Sequence, residues 1–272
     1  MAAIVFCVGL HTHRGDIASL LRRPGLLFRS LLAMNVIMPI VAAVLAKVLG
    51  LREAVGAALI LLAVSPVPPI LPNKEIKAGG RQSYVVELLA TSSLVAIVLV
   101  PISITILGRV FGYTLHVPMS TVAWAVITPV LLPLIAGVIV RILAPALAER
   151  SSRPISLIAT VLLVVAFIPV LLATWRSLVA QIGDFALLAI ALLVVIGLAV
   201  GHLLGGPKPG DRTALALSTA SRHPGVAIAI ANVIAPHEQS VVMAVLLAFL
   251  VGTLLTVPYV RWRTRVHAEA AR

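Results

Sequence analysis

The chain has 272 residues, 61% hydrophobic and 11% charged, with a mean hydropathy of +1.13 and a formal net charge of +12. A soluble domain cannot hide that much apolar surface, so the composition reads as an all-α polytopic membrane protein. Nucleic acid is excluded as a partner because Lys and Arg sit in short loops rather than along one face, and the single Cys7 excludes an internal disulfide or a multi-cysteine metal site.

A helix needs about 20 apolar residues to cross the hydrocarbon. Residues 1–11 are apolar but cover only about half of it at about 1.5 Å per residue. They read as the tail of a helix or as a short re-entrant piece, without the basic start or cleavage site of a signal peptide. Full-length candidates follow near 26–49, 54–79, 82–108, 120–143, 154–175, 182–204, 211–234 and 239–261. The chain is expected to form one membrane domain over 1–272.

Two of these candidates are interrupted. In 54–79 the run is Ser65-Pro66-Val67-Pro68-Pro69-Ile70-Leu71-Pro72-Asn73, and in 211–234 it is Ser221-Arg222-His223-Pro224-Gly225. Proline removes a backbone donor and clashes with the preceding turn, so neither run continues a helix. The carbonyls so freed must be covered by protein or face a water-filled cavity. The interruptions also belong to a repeat. Gln82-Ser83 and Val100-Pro101 recur as Gln239-Ser240 and Val257-Pro258, at a constant offset of 157. Paired broken spans in two halves are the sequence pointer to a transporter's binding site.

If loops alternate sides, Lys47, Arg52, Arg109 and Arg176 fall on one side and Arg222 in the interior, with the rest of the 21 Lys and Arg on the other side. That basic side is expected to be cytoplasmic, including the loops near 12–25, 74–81, 144–153 and 205–212 and the C-terminus. The expected location is the plasma (inner) membrane, multi-pass. The two halves then run in opposite senses, an inverted repeat.

Arg222 and His223 stand at the second break. Arg222 reads as an anion contact, or alternatively as a snorkelling residue or structural tie. His223 reads as a proton carrier or a satisfied core histidine. The half-helix after Pro224-Gly225 aims its N-terminal amides at the break, which suits an anion. Glu87 is the other interior charge, a candidate coupling residue that pairs with Arg222, with Lys74 or Lys77, or with nothing. Lys74, Glu75 and Lys77 read as a solvated face. Thr91, Ser92 and Ser93 are candidate cavity residues. Arg176 and Asp184 read as interfacial, and Trp124, Trp175 and Trp262 as interface anchors. No metal site is expected. No nucleophile–base pair, metal cluster or phosphate loop stands at a consistent depth, so an enzyme is not expected.

Several stretches together resemble the bile acid:sodium symporter family: Gly9-Leu10, Asp16, Leu20-Leu21-Arg22-Arg23-Pro24 and Met38-Pro39, then the break at 54–79 with Ala78-Gly79-Gly80, and Ser218 through Ala227. The resemblance implies two inverted five-helix repeats with crossed broken helices, in a divergent member whose N-terminal part is short. It implies a core of 26–108 and 182–261 moving against a panel of 1–11 and 120–175. Family sodium ligands have Ser218, Arg222, Val85 and Leu89 at the matching places, and the first crossover is Val67-Pro68-Pro69-Ile70-Leu71-Pro72 with Asn73 displaced by one. The expectation is a secondary transporter of a small organic anion, contacted by Arg222, His223, Ser218, Ser221, Asn73 and Pro69. Glu87 or His223 would carry the coupling, with Na+ or H+ as coupling ion and no other cofactor. The partners are then the anion, the lipid bilayer and, as an open case, a second copy in a homodimer. The alternatives are an ordinary sodium-coupled symporter and a non-transporting ligand-binding membrane protein.

Overall fold

Proline sets where many of the helices begin. Pro24, Pro145, Pro209 and Pro224 each stand in a first helical turn, where a missing N–H leaves no intrahelical bond unmade. The computed structural model describes residues 2–12, 23–112 and 115–270. Arg14, Asp16, Leu20, Leu21, Arg22 and Arg272 lie outside the described residues.

The elements are α1 (Ala2–Leu10), α2 (Pro24–Val48), α3 (Glu53–Val64), α4 (Leu71–Lys77), α5 (Gln82–Val110), α6 (Met119–Leu143), α7 (Pro145–Val179), α8 (Ala186–Leu204), α9 (Pro209–Ala220), α10 (Pro224–Ile234), α11 (Gln239–Leu255) and α12 (Val257–Ala270). Six helices among the described residues are long and apolar enough to cross a membrane: α2, α5, α6, the Pro145–Pro169 part of α7, α8, and α11 with α12 as Gln239–Glu269. The all-α polytopic class is therefore what the chain adopts. The pairs α3/α4 and α9/α10 are the interrupted segments, open at 65–70 and 221–223.

Three boundaries differ from the sequence reading. The stretch 144–153 is not a loop. The turn is compressed into Ala144, held at φ −139° ahead of Pro145, because a residue before proline is pushed out of the helical region. Glu149 and Arg150 then ride on the first turns of α7. The loop at 205–212 ends early, since Pro209 starts α9. The last span does not stop at 261: after Thr256, α12 continues to Ala270. Both α2 and α6 also contain a wide π-helical turn, at Ala33–Ile37 and Ile127–Leu131, each ending close before a proline, Pro39 or Pro133. Such turns absorb a break in the bonding ladder.

Small residues decide which helices touch. A Cβ on Gly9 of α1 would lie 2.4 Å from the Leu134 carbonyl, and one on Gly137 of α6 would lie 2.2 Å from that of Phe6. Those two backbones are in direct contact, the packing that lipid-embedded helices favour. A Cβ on Gly197 of α8 would lie 2.9 Å from the Ala220 Cα of α9, and one on Gly201 2.5 Å from the Ala216 Cα. The main apolar core joins α3, α8, α10 and α11 through Ala58, Leu59, Ala189, Val226 and Ala244. Leu157, Val161, Leu162, Val165 and Leu172 of α7 are exposed, a surface suited to lipid. Trp124, Trp175 and Trp262 are exposed too, and Trp262 also lies against the rings of His202 and Tyr259.

The loops gather at two ends. At one end Arg52 Nη1 donates to the Ala180 carbonyl (3.1 Å) and Arg52 pairs with Asp184 (2.9 Å). At the other, basic end, the carboxylate of Asp211 meets Arg81 (2.7 Å) and Arg23 (3.7 Å), and Arg263 Nε donates to Thr213 Oγ1 (2.8 Å).

Candidate functional site

The two breaks meet. The His223 N–H donates to the Pro66 carbonyl at 2.9 Å, so α3/α4 and α9/α10 touch where each loses its helix. Prolines explain which carbonyls are free. Ser65 would bond the N–H of residue 68 or 69 in a continuing helix, and both are proline. Arg222 Nη1 donates to that carbonyl instead, at 3.2 Å. The Val67 N–H, also left over at the break, lies 3.4 Å from Ser92 Oγ of α5.

A second orphan carbonyl comes from α2. In its π-helical turn Met38 N–H donates to Ala33. Met34 then looks for the N–H of residue 39, which is proline and has none. Arg222 Nη2 takes the Met34 carbonyl at 2.6 Å. The guanidinium is buried at 7% exposure, Nε has no partner, and among the described residues no carboxylate pairs with it. It thus ties three segments together and still leaves a cation at the crossing.

His223 caps α10: its Nδ1 accepts from the Gly225 N–H at 3.1 Å. That amide is occupied by the chain itself, so it does not stand ready for an anion as the sequence reading expected. The other ring nitrogen, Nε2, is buried without a partner. Ser221 is half-buried and, with Arg222, Phe249 and Thr253, borders a small cavity of about 40 Å³, room for a water or a small ion. Pro69 is buried at the first break.

The helical period of α4 corrects the reading of 74–77. Leu71, Pro72, Glu75 and Ala78 are buried on one face, while Asn73 and Lys77 are exposed on another. Asn73 is therefore turned away from the buried face that carries Glu75. Glu75 is not solvated: it is 0% exposed, and its Oε1 accepts from Ser218 Oγ at 2.6 Å. This buried link between α4 and α9 escaped the sequence reading, although the spacing of Glu75 from Leu71 and Ala78 carried the signal. Lys74 turns toward Thr256 and the Thr253 carbonyl. Glu87 is 3% exposed, and neither of its oxygens has a hydrogen-bond partner, the last of the alternatives set out for it. Ser93 Oγ is likewise buried and unpartnered.

A cleft of about 580 Å³ lies at the end away from the basic loops, between Leu51, Glu53, Ile60, Phe111 and Glu238. It reaches Leu61, whose carbonyl accepts from Ser65 Oγ at 2.7 Å, so its inner end is one helical turn from the first break.

A profile of the Sodium Bile acid symporter family matches residues 1–181 of the 272. The chain belongs to this family. Among curated proteins it is similar to the uncharacterized sodium-dependent transporter YocS of Bacillus subtilis (strain 168), 26% identical over 205 residues. That alignment covers 75% of this chain and 61% of the relative, so the chain spans less than two thirds of that relative's length. The matched region contains the first break, while Ser218, Arg222 and His223 lie beyond it.

Proposed function

We propose that this protein is a secondary transporter that carries a small organic anion across the membrane by alternating access about the crossing of the two breaks. The observation that carries this reading is Arg222, a buried guanidinium paired with no carboxylate among the described residues, at the crossing where both broken helices lose their helix. A buried cation of this kind in a membrane is a site by default. Two of its donors hold backbone, and Nε remains for a ligand. The cleft at the end away from the basic loops is the approach to the crossing. The basic end is shut in this conformation by Asp211 with Arg81 and Arg23, and by Gly210 packed against Gly79 and Arg81. Passage to that side requires these contacts to part, the bistable element that alternating access needs.

A sodium-coupled version has the relative's printed name, a sodium-dependent transporter, in its favour. The test is uptake of labelled mono- and dicarboxylates and a conjugated bile acid into proteoliposomes, with sodium or choline outside. Anion uptake that persists in choline and falls at least tenfold in Arg222→Met supports the anion site. Uptake that needs sodium and tolerates Arg222→Met moves the protein to the sodium-coupled reading with Arg222 as a tie. No uptake of any anion rejects the proposal.

A further inference from the structure

We propose that Glu75, held by Ser218, is the proton-carrying group of this transporter, so that transport is coupled to H+ rather than to Na+. The proposal rests on the transport reading above and names its coupling ion and residue.

Glu75 is completely buried, and one bond accounts for its polar contacts: Ser218 Oγ donates to Oε1, and Oε2 has no partner. Among the described residues no ion pair includes Glu75. On its own helix, Lys74 reaches Thr256 and the Thr253 carbonyl, and Lys77 is exposed. On α5, Arg81 Nε is committed to Asp211 while its Nη2 is buried without a hydrogen-bond partner, Tyr84 hydrogen-bonds Ser30 (2.7 Å), and Glu87 brings no positive charge. On α9, Asp211 is held by Arg81 and Arg23. On α12, Arg263 donates to Thr213 and Pro209, and His267 lies against Gly79. A carboxylate sealed here would carry a charge that nothing compensates, whereas a carboxylic acid carries none. A sodium ion needs several oxygens around it; among the described residues, Glu75 has the Ser218 hydroxyl alone as a bonded side-chain neighbour.

The position also has an exit. The Gly80 N–H donates to the Glu75 backbone carbonyl at 2.8 Å, so the main chain of Glu75 lies one turn from the Gly79–Arg81 loop while its carboxyl group meets Ser218. Gly210 covers that loop, and Asp211 beside it holds Arg81. Parting of Asp211 from Arg81 uncovers Glu75 to water at the basic end. The proton passes to water as H3O+, and for the cycle to be coupled the carboxylate then takes up a proton from water on the opposite side before it is sealed again.

The test is infrared difference spectroscopy of the purified protein across about pH 5 to about pH 9, in sodium and in choline, for wild type, Glu75→Gln, Glu87→Gln and Ser218→Ala. We expect a titrating carboxylic acid C=O band that is absent in Glu75→Gln, retained in Glu87→Gln and shifted in frequency in Ser218→Ala. The shift in Ser218→Ala keeps the result meaningful if Glu75→Gln folds poorly. A band that survives in Glu75→Gln, no titrating band at all, or a band abolished by sodium at fixed pH overturns the proposal. Because the spectrum needs no substrate, failure of every anion to be taken up rejects the transport reading while leaving the assignment of Glu75 standing. Anion uptake with unchanged pH dependence in Glu75→Gln rejects the coupling alone.

Discussion

Arg222 donates to the carbonyl of Ser65, the residue 157 positions before it. The same interval separates Gln82 from Gln239 and Pro101 from Pro258, so under the sequence repeat the bond joins corresponding places in the two halves. Prolines in the first half expose the carbonyl, and an arginine in the second half covers it.

Arg222→Met keeps the volume and removes both bonds. Leaving a buried acceptor unpaired costs about 1–3 kcal/mol, so loss of the Ser65 and Met34 partners is expected to destabilise the protein by about 2–5 kcal/mol. Thermal unfolding in detergent reads this directly. Arg222→Lys is expected to recover only part of the loss, because a point-charge ammonium cannot reproduce the two-pronged fork. Full recovery in Lys would mean that charge, not geometry, holds the crossing.

Pro39 and Arg222 are coupled through the Met34 carbonyl. Pro39→Ala restores an N–H to α2 that can take this acceptor within the helix. In that background Arg222→Met is expected to cost about 1 kcal/mol less than in wild type, a coupling typical of residues that share one partner. A double-mutant cycle on melting temperatures measures it, and strict additivity would show that Met34 finds another donor.

Asp211→Asn removes the shared anion of Arg81 and Arg23 and is expected to loosen the basic end. The readout is thiol labelling of Ala78→Cys in a Cys7→Ser background, since Ala78 is buried directly beneath the Gly79–Arg81 loop. We expect labelling by a membrane-impermeant maleimide to accelerate about tenfold, the response to about 1.4 kcal/mol of lost closure. Equal rates would assign the closure to the Gly79–Gly210 packing instead.

Glu238 lines the cleft at the opposite end, its Oε2 accepting from Ser240 Oγ (3.2 Å). A negative charge on the approach slows an incoming anion. Glu238→Gln is expected to raise initial uptake about two- to fivefold at low ionic strength and to have little effect at about 0.5 M salt, where such fields are screened. A gain independent of salt would point to a change of shape rather than charge.

Much of this architecture was legible in the residues. Pro66, Pro68 and Pro69 announced the first break and Pro224 the second, because a missing N–H is a local and unconditional fact. The spans were legible because about 20 apolar residues have few other uses. Their ends were less so: Ala144 makes in one residue a turn that charge alone suggested needed ten, and the basic residues sit on helix rather than loop. In the site, Arg222 stood out as a charge amid apolar sequence, but its partners did not, since they are carbonyls that every residue has. Glu75 was hidden by its neighbours. Flanked by Lys74 and Lys77 it looked solvated, and only the helical period, which turns Leu71, Glu75 and Ala78 inward together, separates it from them.

Every side-chain or backbone bond described between the two crossing segments runs in one direction. Arg222 gives to Ser65, His223 to Pro66 and Ser218 to Glu75, and Pro66, lacking an N–H, cannot return the bond. The halves are consequently not interchangeable copies. A chain assembled from two first halves would bring carbonyls and a carboxyl group face to face with nothing to quench them. One assembled from two second halves would set guanidinium against guanidinium. Whatever likeness the repeat retains, its two halves meet at the centre as donor and acceptor rather than as like and like.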